Sequence, residues 1–290
     1  MQPDTDLRSL EAGNDRLQTN APVPPRPVRR VLGSVLPPVI FVVAMIAVWQ
    51  VAVTITGPSP DTMPSPAQVA SALGEAWASG ALPAAVATSL GRGLIGFAAA
   101  IVIGTVLGLI LAEVRPLRRA IAPIVSGLMV LPSVAWVPAA ILWFGLTDAL
   151  VYFVVLMGGV PSIVNGMIAG VDQVPVQLRR AGTVMGARGA LMSLLIVLPG
   201  ALPGYIAGLK QGWAFSWRGV LAAEIIAVGG TLGAGVGALL QDGREAADLA
   251  AVLAAILVIL VIGILVELAL LAPLERRVLR GRGLLQGGAR

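Results

Sequence analysis

The sequence predicts an all-α, polytopic membrane protein with six transmembrane helices. Three observations lead there. Of 290 residues, 57% are apolar and only 12% charged, with a mean hydropathy of +0.89, too little polar surface to cover a water-soluble globule. The apolar residues fall into runs close to the ~20 that a helix needs to cross a bilayer. The basic residues sit in short groups between those runs, which is the pattern of topology signals. They are not gathered with aromatics into one stripe, so nucleic acid is not an expected partner.

The elements follow in order. Residues 1–34 are polar and carry Pro22, Pro24, Pro25 and Pro27, composing a disordered cytoplasmic tail that ends in Arg26, Arg29 and Arg30. So long a polar lead is not expected of a secretory leader. A first span covers about 36–55. Residues 57–83 contain Pro58, Pro60, Pro64, Pro66, Asp61 and Glu75 but no Lys or Arg. Within them Ser65-Pro66 starts a short capped helix over 67–78, outside the membrane.

A second span, about 90–112, precedes Arg115, Arg118 and Arg119. The third, about 121–146, carries Pro123, Pro132 and Pro138 and must bend, since such prolines need neighbours to re-satisfy the freed carbonyls. The fourth covers about 149–169, and a polar loop fills 171–190. The fifth covers about 202–228, an outer segment holds Asp242, Arg244, Glu245 and Asp248, and the sixth covers about 249–271. The transmembrane domain thus occupies 35–279, and 280–290 form a basic cytoplasmic tail. With the N-terminus inside, the cytoplasmic segments hold five, three, three and five arginines against Arg244 alone outside. This asymmetry places both termini and the 171–190 loop in the cytoplasm.

Several chemistries are excluded. The chain has no cysteine and no histidine, which removes disulfides, thiolate or imidazole metal ligands and every Ser-His or Cys-His arrangement. Its one lysine, Lys210, follows Leu209, so there is no Gly-Lys-Ser/Thr phosphate loop. No cofactor is expected in this chain, and any ATP-Mg that drives it belongs to another subunit.

One segment points to function. Arg180-Ala181-Gly182 is followed after three residues by Gly186, then after nine more by Ile196-Val197-Leu198-Pro199. Pro175 suits the first turn of a helix, Val176, Leu178, Val184 and Met185 offer an apolar face, and Gly186 permits a left-handed end. Pro199 and Pro203 are expected to break the chain before it re-enters the membrane. The spacing resembles the "EAA" loop of ABC-importer permeases: Glu-Ala-Ala, three residues, Gly, nine residues, Ile-x-Leu-Pro. Here Arg180 replaces the family's glutamate and Gly182 its second alanine.

The likeness runs from about Pro64 to Leu279. It includes Ser65-Pro66, Ser89-Leu90 with Arg92 and Gly96-Phe97, Ala135-Trp136-Val137-Pro138, Ile141-Leu142-Trp143-Phe144-Gly145, Gly208-Leu209-Lys210 and Ala222-Ala223-Glu224. Together these resemble the branch holding alkylsulfonate, taurine and nitrate permeases. The resemblance implies the type I ABC importer permease fold in a bacterial cytoplasmic (inner) membrane. It implies a second permease copy, identical or related, and two ABC ATPase subunits docked on the coupling loop, 171–199. It also implies an extracytoplasmic binding protein that delivers a small, often anionic solute. Arg180 leaves two readings open: an ATPase groove changed to match it, or a second permease that keeps the glutamate.

Five ionisable residues fall in or beside the spans, and such residues are functional-site hypotheses by default. Arg92 and Glu267 are expected to snorkel from span ends, and Lys210 to sit near the cytoplasmic end of the fifth span. Arg218 and Glu224 lie deeper, either pairing to hold the bundle or facing a water-filled path. Lys210, Trp217, Arg218 and Glu224 are therefore the candidates for the translocation path. Gly104 and Gly108, and Gly204, Gly208 and Gly212, repeat at every fourth residue, a spacing that brings helices close in lipid. The glycine run 229–237 opens an outer segment after a span and is not a nucleotide fingerprint. Two other classes remain: a membrane enzyme using acids such as Glu224 and Asp242, for which no carboxylate cluster at readable spacing appears, and a membrane scaffold.

Overall fold

The computed structural model describes residues 27–57, 63–230 and 232–281, and those residues form helices joined by short loops, with no strand among them. Helix α1 (Pro27–Thr56) includes Pro37 and Pro38, and its described residues up to Ala52 fall in a first compact unit. It begins at Pro27, so residues 27–34, expected as tail, are helical; the expectation for 1–26 lies outside the described residues, as does that for 282–290. The second unit, which begins at Val53, next contains α2 (Pro66–Ala78), whose entry turn is encoded locally. Ser65 caps it: its Oγ accepts from the Gln68 amide while Gln68 Oε1 accepts from the Ser65 amide at 2.7 Å, the reciprocal capping box.

Four further long helices and one bent pair follow. Helix α3 (Ala81–Glu113) is 33 residues long, starting nine residues ahead of the predicted second span. The predicted third span is two helices, α4 (Arg115–Leu128) and α5 (Val137–Phe144), with a 3-10 turn at Ser133–Trp136 between them. The two halves meet at a bend of 101°. Pro132 precedes the 3-10 turn and Pro138 opens α5, so the span expected to bend does bend, between its first proline and its last. Helix α6 (Asp148–Asp172), α7 (Val176–Val184), α8 (Leu198–Ile226), α9 (Val236–Glu245), α10 (Leu249–Val266) and α11 (Ala272–Gly281) follow among the described residues. Five helices are long and apolar enough to cross a membrane, or six if the bent pair counts as one span.

Pro199 and Pro203 do not break the chain. A π turn over Ser193–Val197 leads straight into α8, with the Leu198 amide donating to the Ser193 carbonyl. The wider turn accommodates Pro199, which has no N–H for residue 195 and whose ring would crowd that carbonyl in an α turn. Pro203 lies inside α8, which stays continuous because Ala201 and Gly204 on either side of it pack directly on Gly170 of α6. A second π turn, Glu267–Leu271, joins α10 to α11.

Helix α6 is the centre of this unit, packed between α3 and α8. Its contact with α8 is backbone against backbone. A Cβ added at Gly208 would lie 2.6 Å from Gly166 Cα, and one at Gly204 would lie 2.6 Å from Gly170 Cα. On the other side Gly104 and Gly108 of α3 accept Ile163 and Met167 of α6. In lipid, apolar burial adds nothing to helix association, so such close approach supplies the dispersion contacts that hold the helices together. The sequence showed the glycines of α3 and α8; the α6 glycines that face α8, Gly159, Gly166 and Gly170, were missed.

Candidate functional site: a coupling loop and a buried ionic network

Helix α6 ends at Asp172, and buried Val174 tucks beneath Gly200 of α8, where an added Cβ would sit 2.9 Å from Val174 Cγ2. Pro175 is extended (φ −55°, ψ 135°) and serves as the N-cap of α7. Gly186 takes φ +87°, and beyond it the Ala187 amide donates to the Gly182 carbonyl at 2.9 Å. This six-residue closure is the left-handed C-terminal stop that glycine favours. Gly182 is buried, and a Cβ there would strike Ile196 Cδ1 and approach Met192 Sδ at 3.1 Å. That contact accounts for glycine at the position, and it ties α7 to the half-buried stretch Ile196, Leu198 and Pro199.

The remainder of α7 is largely exposed. Val184 is 88% and Met185 76% exposed, and Val176 and Leu178 are also exposed. Arg180 and Ala181 are exposed beside them, and Arg180 makes no ion pair among the described residues. Polar contacts tie the rear of the loop to the span ends. Arg118 of α4 grips Asp172 through two bonds of 2.8 and 2.5 Å, Arg179 Nη2 donates to the Val171 carbonyl at 3.1 Å, and Ser193 donates to Glu113. These groups line a cleft of about 600 Å³.

The four path candidates do not converge. Lys210 lies between Glu267 (2.7 Å) and Glu275 (2.9 Å), binding α8 to both sides of the second π turn. Trp217 stacks on Trp213 with centroids 5.9 Å apart, and its buried Nε1 has no partner. Arg218 is exposed, lying over the Phe215 ring at 5.6 Å, and does not pair with Glu224.

Glu224, only 2% exposed, takes Arg92 as its partner instead. Its Oε1 accepts from Arg92 Nη1 at 2.9 Å and its Oε2 from Ser89 Oγ at 2.7 Å and the Gly237 amide at 3.1 Å. Arg92 is 5% exposed and also donates through Nε to Asp148 at 2.8 Å. The expectation that Arg92 snorkels is therefore corrected: a buried carboxylate is its counter-ion. Glu267 likewise pairs, with Lys210. The signal for the first pair was present in the spacing of Ser89 and Arg92, which share one helical face at i, i+3; nothing in the sequence indicated Asp148.

The family model described as "binding-protein-dependent transport system inner membrane component" matches residues 104–280, more than half the chain. The chain belongs to that family. Among curated proteins, this permease chain is 29% identical to the taurine transport system permease protein TauC of Escherichia coli over 83% of its length and 88% of TauC. It is 26% identical to the nitrate import permease protein NrtB of Synechocystis, covering 81% of this chain and 86% of NrtB. It is 28% identical to the bicarbonate transport system permease protein CmpB of Synechococcus elongatus, over 66% and 68% respectively. With its long apolar helices, membership makes this permease a multi-pass inner membrane protein of an ABC transporter, and both findings agree with the sequence resemblance.

Proposed function

We propose that the chain is the transmembrane subunit of an ATP-driven importer, forming the path for a small anionic solute delivered by an extracytoplasmic binding protein. The observation that carries this reading is the exposure of apolar side chains along α7. Val176, Leu178, Val184 and Met185 are exposed on and just after a short helix that stops at the left-handed Gly186 and is held to α6 by Arg179 and to Ile196 by Gly182. Exposed apolar side chains concentrated on so short an element mark a protein contact. The occupant is an ABC ATPase subunit, one copy on each of two paired permeases, and ATP-Mg is held there rather than here. The arginine distribution supports a cytoplasmic α7 and cytoplasmic termini.

Closure of the ATPase dimer on ATP would push on α7. Gly182 and Ile196 pass that push to α8, and Arg118–Asp172 passes it to α4 and α6. Coupling of this sort is a population shift between inward-open and outward-open states. Taurine, nitrate and bicarbonate, which name the relatives' transport systems, each carry a small oxyanionic group, and the solute proposed here has the same character.

Purification from the native membrane in mild detergent, with mass spectrometry of the associated chains, tests the reading. An ATPase and a binding protein should accompany the wild type. Val184→Asp with Met185→Asp should lose the ATPase while the subunit keeps its thermal midpoint, since both side chains face outward. Retention of the ATPase by that double variant removes α7 as the docking element.

A further inference from the structure

Helix α4 divides into two faces. Leu117, Ile121 and Val125 pack on α3 and α6, in one cluster with Leu111, Val164 and Ile168. Arg115, Arg118, Arg119, Ala122, Pro123 and Ser126 recur at i, i+3, i+4, i+7, i+8 and i+11 and so share the other face. These residues border an open hollow of about 530 Å³, which exists because the last three side chains are small. Arg118 is committed to Asp172. Arg115 and Arg119 are exposed and make no ion pair among the described residues.

Contacts with α6 give the hollow its direction. Arg118 meets Asp172, the last residue of α6. Further along α4, Ser126 donates to Asn165 Oδ1 at 3.3 Å, and Asn165 Nδ2 donates to Met129 Sδ at 2.9 Å. Helix α4 therefore runs antiparallel to α6, back from the ends of two helices, α3 and α6, that are long and apolar enough to cross a membrane. Arg115 lies just past the end of α3 at Glu113. One helical turn, about 6 Å, separates it from Arg119, which matches a headgroup layer of about 5–7 Å on each side of the bilayer. From Arg119 the small residues lead about 10 Å further toward the hydrocarbon.

We propose that this face binds one anionic phospholipid, with its phosphodiester between Arg115 and Arg119 and an acyl chain laid along Ala122, Pro123 and Ser126. Guanidinium groups match phosphate oxygens through paired N–H donors. The nearby carboxylates are engaged elsewhere, Asp172 with Arg118 and Glu113 with Ser193. A protein in the water phase would meet the arginines but not a groove that leads away from it, and a free phosphate needs no groove. The small residues below the charges single out a ligand with an anionic head and a long apolar tail. The proposal needs α3 and α6 to span the membrane and nothing of the importer reading.

The test uses the protein purified with its associated chains from the native membrane in mild detergent, then delipidated. It is titrated with phosphatidylglycerol or with phosphatidylcholine, whose choline neutralises the same phosphate, and the tightest lipid per copy is followed by native mass spectrometry. Phosphatidylglycerol should bind at least about ten-fold more tightly than phosphatidylcholine. Arg115→Gln with Arg119→Gln should weaken phosphatidylglycerol by about thirty-fold and bring the two lipids together. Arg276→Gln with Arg277→Gln, which removes two exposed arginines of α11, should leave binding unchanged. Pro123→Phe, at an exposed position, keeps both charges but fills the groove and should weaken both lipids alike. All three variants should keep the thermal midpoint.

Equal affinity for the two lipids, an equal loss in the α11 variant, or displacement by excess inorganic phosphate overturns the lipid site. Wild-type binding by Pro123→Phe overturns the groove. Loss of an associated chain from the Arg115/Arg119 variant, with phosphatidylglycerol still bound, makes the pair a protein contact instead. No binding to the wild type means that another segment or a second copy covers this face, which also overturns the proposal.

Discussion

Substitution of Gly208 by alanine tests the packing on which the bundle rests. The added methyl carbon would lie 2.6 Å from Gly166 Cα and 3.0 Å from the Ser162 carbonyl oxygen. Carbon contacts settle near about 3.5–4 Å, so α6 and α8 must separate by roughly 1 Å at this level. Neither obstacle is a side chain that can change rotamer. Overpacking of this kind costs about 1–3 kcal/mol, and the better helix propensity of alanine returns about 1 kcal/mol. The expected net loss is therefore about 0–2 kcal/mol. Gly74→Ala in α2 is the control, because nothing lies within 4 Å of its added Cβ, leaving only the favourable propensity difference. Gly204→Ala should also destabilise, and the double variant should lose less than the sum, because the first methyl already parts the helices. Unfolding in a fixed detergent, followed by tryptophan fluorescence, reads the midpoints. A Gly208→Ala midpoint raised as far as that of Gly74→Ala refutes the backbone-contact account.

Three further outcomes follow from the geometry. Ser65→Ala removes the α2 cap and should lower stability by about 1 kcal/mol, seen as faster amide exchange at Gln68 and Val69. Arg118→Asp and Asp172→Arg alone should each lower solute-stimulated ATPase activity in the intact complex, and the exchanged pair should recover most of it. The coupling energy of that partly exposed pair is about 0.5–1 kcal/mol, and the single-variant defects should shrink in high salt. Gly186→Ala meets no atom within 4 Å but must hold φ +87°, a conformational penalty of about 1–2 kcal/mol. It should reduce ATPase retention, and Gly186→Asn, which tolerates that conformation better, should reduce it less.

Local signals in the sequence located most elements. Apolar runs marked the spans, Ser65-Pro66 marked the start of α2, and Gly186 marked the end of α7, because each depends on residues within a turn of one another. The partner of Glu224 was hidden for the opposite reason. Glu224 is paired through a residue 132 positions away, and neither hydropathy nor spacing along one helix records which helices will adjoin. The prolines at 199 and 203 misled because the rule that they stop helices assumes an ordinary α turn before them, whereas a π turn and a tightly packed neighbour remove the conflict. Gly182 in place of the family's alanine became intelligible only once Ile196 was seen beneath it.

The network around Glu224 is also uneven in what mutation can reach. Two of its donors, at positions 236 and 237, are main-chain amides, which every substitution but proline preserves. A saturation scan should therefore separate two kinds of intolerance: chemical at Ser89, Arg92 and Glu224, where the functional group itself is lost, and purely volumetric at Gly235 and Gly237, where a Cβ would overlap the Glu224 side chain. At Val236 the scan should follow the size and polarity of the side chain, with proline alone removing the hydrogen bond.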